Sequence, residues 1–415
     1  MPSADSLTTA VPAGPSPTAP ARGAARPGRA GPVPPAATRA AGPDAPSPAT
    51  LLDQDTRDRL EAAAEAADRS GLPDREAVAV LRGSRLPGLV VPRRYGGAGG
   101  GAVELNAAVE QVAAVNASAA IMLFQHYAVC SRIAECGTAE QHRTLLPDLA
   151  SGRLLAASAW SETGAGADKK NLATTARPAP DGGWILDGAK SFTTSAGLAD
   201  LYLVLAQSGS GGPDEGRTAY GSAGQTFFLV AADNPGLRPD TSLRLTGMRG
   251  SATGFVSVRD CRVADGARLG AAGTAAAVIA GVRESGASLG TVAVGIAQAA
   301  LETAHAHAER RGLLAHQAVR HRLVGLATRV EAARALVERA GRRTSADPGM
   351  TTLHSKLFAS SAAEEVVGEV ESMLGSAGYV DSHPINRYRR DVRAVALMGP
   401  TNDLCKELVS LPWTP

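Results

Sequence analysis

The chain has 415 residues, of which 44% are hydrophobic and 20% are charged, with a formal net charge of +2. That length and composition are typical of a globular protein with a large core, and the near-neutral charge excludes a broad electrostatic field for nucleic acid. No apolar run is long enough to cross a bilayer, and no apolar secretory signal occurs at the N-terminus. We therefore expect a cytoplasmic protein with no membrane or nucleic-acid partner.

The four cysteines, at positions 130, 136, 261 and 405, form no CxxC pair and no metal-ligand spacing with the eight histidines. We expect reduced, packed thiols and no metal site.

Pro, Ala, Gly, Ser and Thr dominate residues 1–48, which we interpret as a disordered tail. Helical spacing begins near Ser47-Pro48, a plausible N-cap and first helical position, and runs through a helical domain at 49–156. In that domain 86–101 reads as a buried turn and 103–136 as long core helices.

Short β-branched and aromatic segments follow, separated by turn signals: WILDGAKSF, LADLYLVLAQ, TFFLVAA and TGFVSVRDCRV. They predict a β-domain at 157–269. Ala-rich amphipathic stretches at 281–310, 314–341 and 353–373 predict a C-terminal helical domain at 270–415. The chain is thus expected to be an α+β protein.

The segment SETGAGAD, residues 161–168, contains small residues whose backbone N–H groups can approach a flat polar ligand, beside the hydroxyl of Ser161. Downstream, in GAKSFTTSA, Phe192 could cover an aromatic ring system and Thr194 could bond to a ring nitrogen. Taken singly, a glycine turn, a core phenylalanine and a strand threonine are the ordinary explanations.

Together, the two segments resemble the acyl-CoA dehydrogenase family, whose signatures run approximately TEPxAGSD and GxKxxITNA. Further matches stand in the family's order: GMRGSATG at 247–254, VGIAQAALETA at 294–304, ERR at 309–311, LGSAGY at 374–379 and YRRD at 388–391. The resemblance implies a helical N-terminal domain, a β-sandwich or barrel-like middle domain and a C-terminal four-helix bundle.

The resemblance also implies FAD and a homodimer or homotetramer. Arg310 would reach the pyrophosphate of a second subunit's FAD. The other residues it implies for cofactor binding are Trp160, Ser161, Gly166, Ala167, Phe192, Thr194, Gly375, Ser376 and Thr401.

This chain departs from the family pattern in two places. The segment between Arg311 and His316 is several residues shorter than usual, which bears on FAD affinity. Aligning on Arg390-Asp391 and Thr401 places Gly399 where the family's catalytic glutamate stands, and a glycine cannot take a proton.

Two other residues are candidates for the catalytic base. Some relatives carry the base at the position of Ser285, one residue after Glu284, although a solvated carboxylate at the start of a helix is an alternative role for Glu284. His126 lies where flavin monooxygenases of this fold can carry a histidine, with a packed histidine as the alternative.

Three functions remain open from the sequence. The first is oxidation of a small acyl thioester on CoA or an acyl carrier protein, of the kind found in polyketide-type specialised metabolism. The second is a two-component monooxygenase supplied with reduced flavin, and the third is a catalytically idle homologue.

Overall fold

The computed structural model describes residues 51–164, 172–209 and 223–413, and the predicted tail at 1–48 lies outside them. The first layer consists of five helices: α1 (Gln54–Ser70), α2 (Arg75–Gly83), α3 (Ala102–Ala113), α4 (Ala117–Cys136) and α5 (Ala139–Ala150). Side-chain oxygens of Asp53, Asp74, Asn116 and Thr138 cap four of them. The first described helix begins after the Asp53 cap, whereas Ser47-Pro48 lies outside the described residues.

In the described middle part of the chain, eight strands form one sheet: β1 (Ala156–Ala159), β2 (Thr175–Pro178), β3 (Trp184–Thr193), β4 (Leu201–Gln207), β5 (Gln225–Ala231), β6 (Leu237–Asp240), β7 (Gly254–Val263) and β8 (Arg268–Leu269). The order is β6-β7-β3-β2-β4-β5-β8, and β1 pairs with β4. Strand β4 is parallel to β1 and β2, and the other pairs are antiparallel. The four segments predicted as strands correspond to β3, β4, β5 and β7.

Six helices follow: α6 (Ala275–Glu284), α7 (Gly290–Arg310), α8 (Gln317–Arg342), α9 (Pro348–Leu374), α10 (Pro384–Leu397) and α11 (Asn402–Ser410). Helices α7 to α10 pack as the bundle. The prediction of one helical stretch over 281–310 is wrong, because Gly286 adopts a φ of +84° and ends α6. A Cβ on Gly286 would lie 2.3 Å from the carbonyl oxygen of Ala340.

Helix α10 joins the helical bundle to the sheet and to α1. The backbone N–H of Met248 donates to Asp391 at 2.5 Å, and Arg390 forms an ion pair with Asp68 at 2.5 Å. Burial raises the pKa of Asp391 to about 6, although the Met248 bond opposes the shift. The RD pair of the 388–391 motif thus fixes the turn after β6 against the bundle.

The predicted α+β architecture, with a helical layer, a central sheet and a helical bundle, is confirmed. We propose the domain limits 49–156, 157–269 and 270–415, of which the first boundary falls within the first residues of β1 and the second at the end of β8. Within the described ranges, no helix combines the length and apolarity that a bilayer span requires.

Candidate functional site

A buried ion pair anchors the segment that resembles the first family signature. Lys190 on β3 donates to Glu162 at 2.7 Å, and both side chains are at most 5% exposed. Glu162 also accepts from the backbone N–H groups of Ala173, at 2.6 Å, and Thr174, at 3.0 Å. The carboxylate therefore joins the two ends of the 163–172 segment to the middle of the sheet.

The two charges of this pair respond differently to burial. Burial lowers the pKa of Lys190 to about 8, while the bond to Glu162 opposes the shift. Burial also acts to raise the pKa of Glu162, but the hydrogen bonds from Lys190 and Thr174 and the lysine charge outweigh it, and the net pKa is lowered. The pair is held as an ammonium and a carboxylate at neutral pH.

Trp160 and Ser161 lie directly before this carboxylate, where β1 ends. The carbonyl oxygen of Ser161 accepts from the N–H of Ser191 at 2.8 Å, which brings the two signature segments side by side. The indole of Trp160 lies 4.9 Å from the ring of Phe227. Its Nε1 is buried and has no hydrogen-bond partner among the described residues, so it presents a donor for an added acceptor.

Phe192 and Thr194 flank the end of β3. Phe192 is 64% exposed and has a φ of +51°, an unfavourable backbone region for a bulky residue. Thr194 is 8% exposed, and its hydroxyl oxygen lies 3.3 Å from that of Thr253. The strand end therefore presents an uncovered aromatic face beside a hydroxyl, whereas the ordinary explanation for Phe192, a core residue, is wrong.

The other cofactor candidates lie on different elements. Gly166 and Ala167 fall outside the described residues. Arg310 ends α7, is exposed, and has no hydrogen bond or ion pair within the described part of the chain. Gly375, with a φ of +60° and open space where a Cβ would lie, and the exposed Ser376 form the turn after α9. Thr401 uses its hydroxyl to cap α11 through the N–H of Leu404 at 3.2 Å.

Two neighbouring residues of α9 contact the chain close to Ser285 and Gly399, the two positions at which family members carry the base. Ser355 lies 2.7 Å, oxygen to oxygen, from Ser288, which belongs to the turn that follows Ser285. The next residue, Lys356, donates to the carbonyl oxygens of Met398, at 3.0 Å, and Pro400, in a close contact, on either side of Gly399. We call this region the α9 corner.

The α9 corner contains an amine and no carboxylate contact among the described residues. Lys356 is 2% exposed, and burial lowers its pKa to about 8. A Cβ at Gly399 would meet no atom within 4 Å, so the vacant position is open. Sequence reasoning missed both Lys356 and the pairing of Lys190 with Glu162, although a lysine and an acid within the two matched motifs were a signal for the latter.

Glu284 lies at the C-terminal end of α6 and is exposed. The interpretation as a helix-start carboxylate is wrong, because the negative end of the helix dipole lies there. No described contact joins Glu284 to the α9 corner.

His126 is 1% exposed on α4. Its Nδ1 accepts from the N–H of Ala156 at 3.2 Å, and its Nε2 lies 3.1 Å from the carbonyl oxygen of Pro87. Burial lowers its pKa to about 4, so the ring is neutral at physiological pH. Since both ring nitrogens are used by backbone groups, the structure favours the packed-histidine alternative over a catalytic one.

The chemistry of these residues fits FAD. The exposed Phe192 ring can cover a flat ring system, and the unpartnered indole N–H of Trp160 and the Thr194 hydroxyl can meet its polar atoms. Arg310, which has no partner among the described residues, supplies a guanidinium suited to phosphate. No group of His, Cys, Asp and Glu side chains in the described ranges has the arrangement of a metal site.

Comparison with known proteins supports the same cofactor and fold. Three acyl-CoA dehydrogenase family descriptions match in order: the N-terminal domain at 53–153, the middle domain at 157–261 and the C-terminal domain at 275–410. The probable acyl-CoA dehydrogenase FadE25 of Mycobacterium tuberculosis is 32% identical over 357 residues, covering 84% of this chain and 89% of that protein.

An L-prolyl-[peptidyl-carrier protein] dehydrogenase of Pseudomonas fluorescens is 32% identical over 340 residues, covering 78% of this chain and 86% of that protein. The solved butyryl-CoA dehydrogenase of Megasphaera elsdenii superposes with a TM-score of 0.76 at 26% identity, covering 87% of this chain and 98% of that one. The chain belongs to the acyl-CoA dehydrogenase family and is an FAD-dependent oxidoreductase.

Proposed function

We propose that this flavoenzyme oxidises a small acyl thioester carried by CoA or an acyl carrier protein, in polyketide-type specialised metabolism, without the family's usual glutamate. The observation that carries the proposal is the α9 corner. There the space beside Gly399 is open, and the described side chain that contacts the turn is the amine of Lys356 and not a carboxylate. In our proposal the leaving proton passes to solvent at the exposed position of Gly399, because an acyl group whose own substituents acidify that proton needs a weaker base than an unsubstituted one.

The relative that acts on a prolyl group bound to a peptidyl carrier protein supports a carrier-bound substrate. FAD, when bound, supplies the acceptor for the electron pair that leaves the acyl group. In our proposal Phe192 covers the ring system, Trp160 and Ser161 line its edge, and Thr194 bonds to a ring nitrogen. The Lys190–Glu162 pair holds this wall in place from behind.

We further propose that two subunits complete one FAD site. Arg310 has no partner in the described part of the chain, and Tyr379 and Val380, which follow Ser376, are 94% and 54% exposed. A guanidinium without a partner among the described residues, together with exposed apolar side chains, supports contact with a second copy that brings both phosphate and apolar surface. Light scattering on the purified flavoprotein is expected to give a dimer or tetramer.

A second candidate is the two-component monooxygenase, which the short connection between α7 and α8 favours. Only residues 311–316 join these helices, and the α9 corner lacks a carboxylate contact. Loosely held flavin that exchanges with a reductase would fit that arrangement. The idle-homologue alternative is less favoured, because Trp160, Phe192 and Thr194 keep groups that can meet a flavin.

The test is a pair of reactions on the purified protein. In the first, small acyl thioesters on CoA and on carrier protein are added without oxygen, and we expect one of them to bleach the flavin absorbance. In the second, an external flavin reductase and isotopically labelled O₂ are supplied. Labelled oxygen in the product, without anaerobic bleaching by any thioester, would replace the dehydrogenase by the monooxygenase.

A further inference from the structure

Lys356 is a buried amine with no carboxylate partner among the described residues. The amine donates to the carbonyl oxygens of Met398 and Pro400, and the backbone carbonyl of Lys356 accepts from the hydroxyl of Ser360 at 2.8 Å. Burying a cation costs free energy unless hydrogen bonds compensate it, so a structural role for this amine is expected.

The Met398–Pro400 turn, which accepts hydrogen bonds from Lys356, is followed by a second contact with α9. Ser360, one helical turn along α9, exchanges a hydrogen bond with Asn402 at 2.9 Å. The hydroxyl of Thr401 caps α11. The backbone around Gly399 is thus tied to α9 on both sides, while Gly399 itself is exposed and faces open space.

We propose that Lys356 is a positioning residue, whose charged amine fixes the Met398–Pro400 turn as the wall that Gly399 presents to the acyl group. The inference rests on the proposed function. Hydrogen bonds from an ammonium are roughly twice as strong as those from a neutral amine, so the bonds from Lys356 to the turn weaken when the amine loses its proton. A displacement of about 1 Å in a positioning element costs up to about 100-fold in rate.

The titratable neighbour that faces this amine from α11 is Cys405, whose Sγ lies 3.7 Å from the same Pro400 oxygen. Burial raises the pKa of Cys405, so the thiol is neutral over the range in which the amine titrates. The pH response of the turn is therefore assigned to Lys356, whose folded pKa is about 8.

The experiment measures the rate of anaerobic flavin reduction by the best thioester from about pH 6.5 to about pH 9.5. It compares wild type with Lys356→Met, Lys356→Arg and the control Lys406→Met, which removes an exposed lysine of α11 that pairs with Asp403. We expect a roughly 10- to 100-fold slower reduction in Lys356→Met with unchanged FAD affinity. Above about pH 8 wild type and the control should slow more than Lys356→Arg does, because arginine stays charged, whereas the titration of Lys190, whose pKa is also about 8, is common to all of them.

Equal rates in Lys356→Met and Lys406→Met would overturn the proposal. If Lys356→Met does not fold, the wild-type profile decides, because a rate that stays flat through pH 9.5 also overturns it. Failure of every thioester to reduce the wild-type flavin is a separate result, which removes the proposed function and this inference with it.

Discussion

Replacing Lys190 by methionine tests whether the ion pair to Glu162 is what holds the flavin-facing wall. The substitution keeps the length of the buried side chain and removes its charge. Among the described residues, Glu162 would then remain buried with the N–H groups of Ala173 and Thr174 as its partners. Breaking a buried pair by removing one partner costs about 3 to 5 kcal/mol, because an uncompensated charge is left behind.

Adding Glu162→Gln to Lys190→Met should recover most of that loss. The glutamine oxygen can still accept one of the two backbone bonds, while the buried charge is gone. We expect the single variant to lose about 3 kcal/mol or more of unfolding free energy in guanidinium, and to retain less FAD after gel filtration. The double variant should lie within about 2 kcal/mol of wild type. A single variant within about 1 kcal/mol of wild type, with full FAD content, would refute this reasoning.

The other predictions concern separate residues. Phe192→Gly should weaken FAD binding at least about tenfold by fluorescence titration and leave the apoprotein as stable or up to about 1 kcal/mol more stable, because glycine relieves the positive φ; lower apoprotein stability would contradict this. Because the folded pKa of Asp391 is raised to about 6, its contribution to stability is complete below the unfolded pKa and is lost as the pH rises through the folded pKa. Relative to Asp391→Asn, wild type should therefore lose about 2 kcal/mol of unfolding free energy as the pH rises from about 4.5 to about 7.5. A pH-independent difference would count against the raised pKa. Thr194→Val should slow thioester-driven flavin reduction, whereas Glu284→Gln should leave it unchanged, and a loss in the latter would restore Glu284 as the base.

The secondary structure was predicted well from the sequence where the hydrophobic patterns were long. The strands β3, β4, β5 and β7, of seven to ten residues, matched their predicted segments. The strands of two to four residues were not predicted, because so few residues show no alternation and depend on pairing partners distant in the chain. The break at Gly286 was not predicted either, since a single glycine in an Ala-rich stretch does not by itself end a helix. Here the close approach of the Ala340 carbonyl oxygen leaves no room for a side chain at this position.

The candidate site was predictable only in its motifs. Phe192 and Thr194 were proposed from the resemblance of their segment to the family signature, but the exposure of the phenylalanine ring and its positive φ are properties of the folded strand end. Lys356 gave no signal, because a lone lysine on an amphipathic helix normally lies at the surface. Its role depends on the turn 42 residues downstream of it reaching the same corner.

The central claim, that this flavoenzyme accepts electrons from a small acyl thioester without a glutamate at position 399, is tested most directly by anaerobic titration of the FAD-loaded protein. The account predicts that a CoA- or carrier-bound small acyl thioester bleaches the flavin band in proportion to the amount added. An unchanged flavin spectrum with the whole panel, on protein that a chemical reductant bleaches fully, would contradict it.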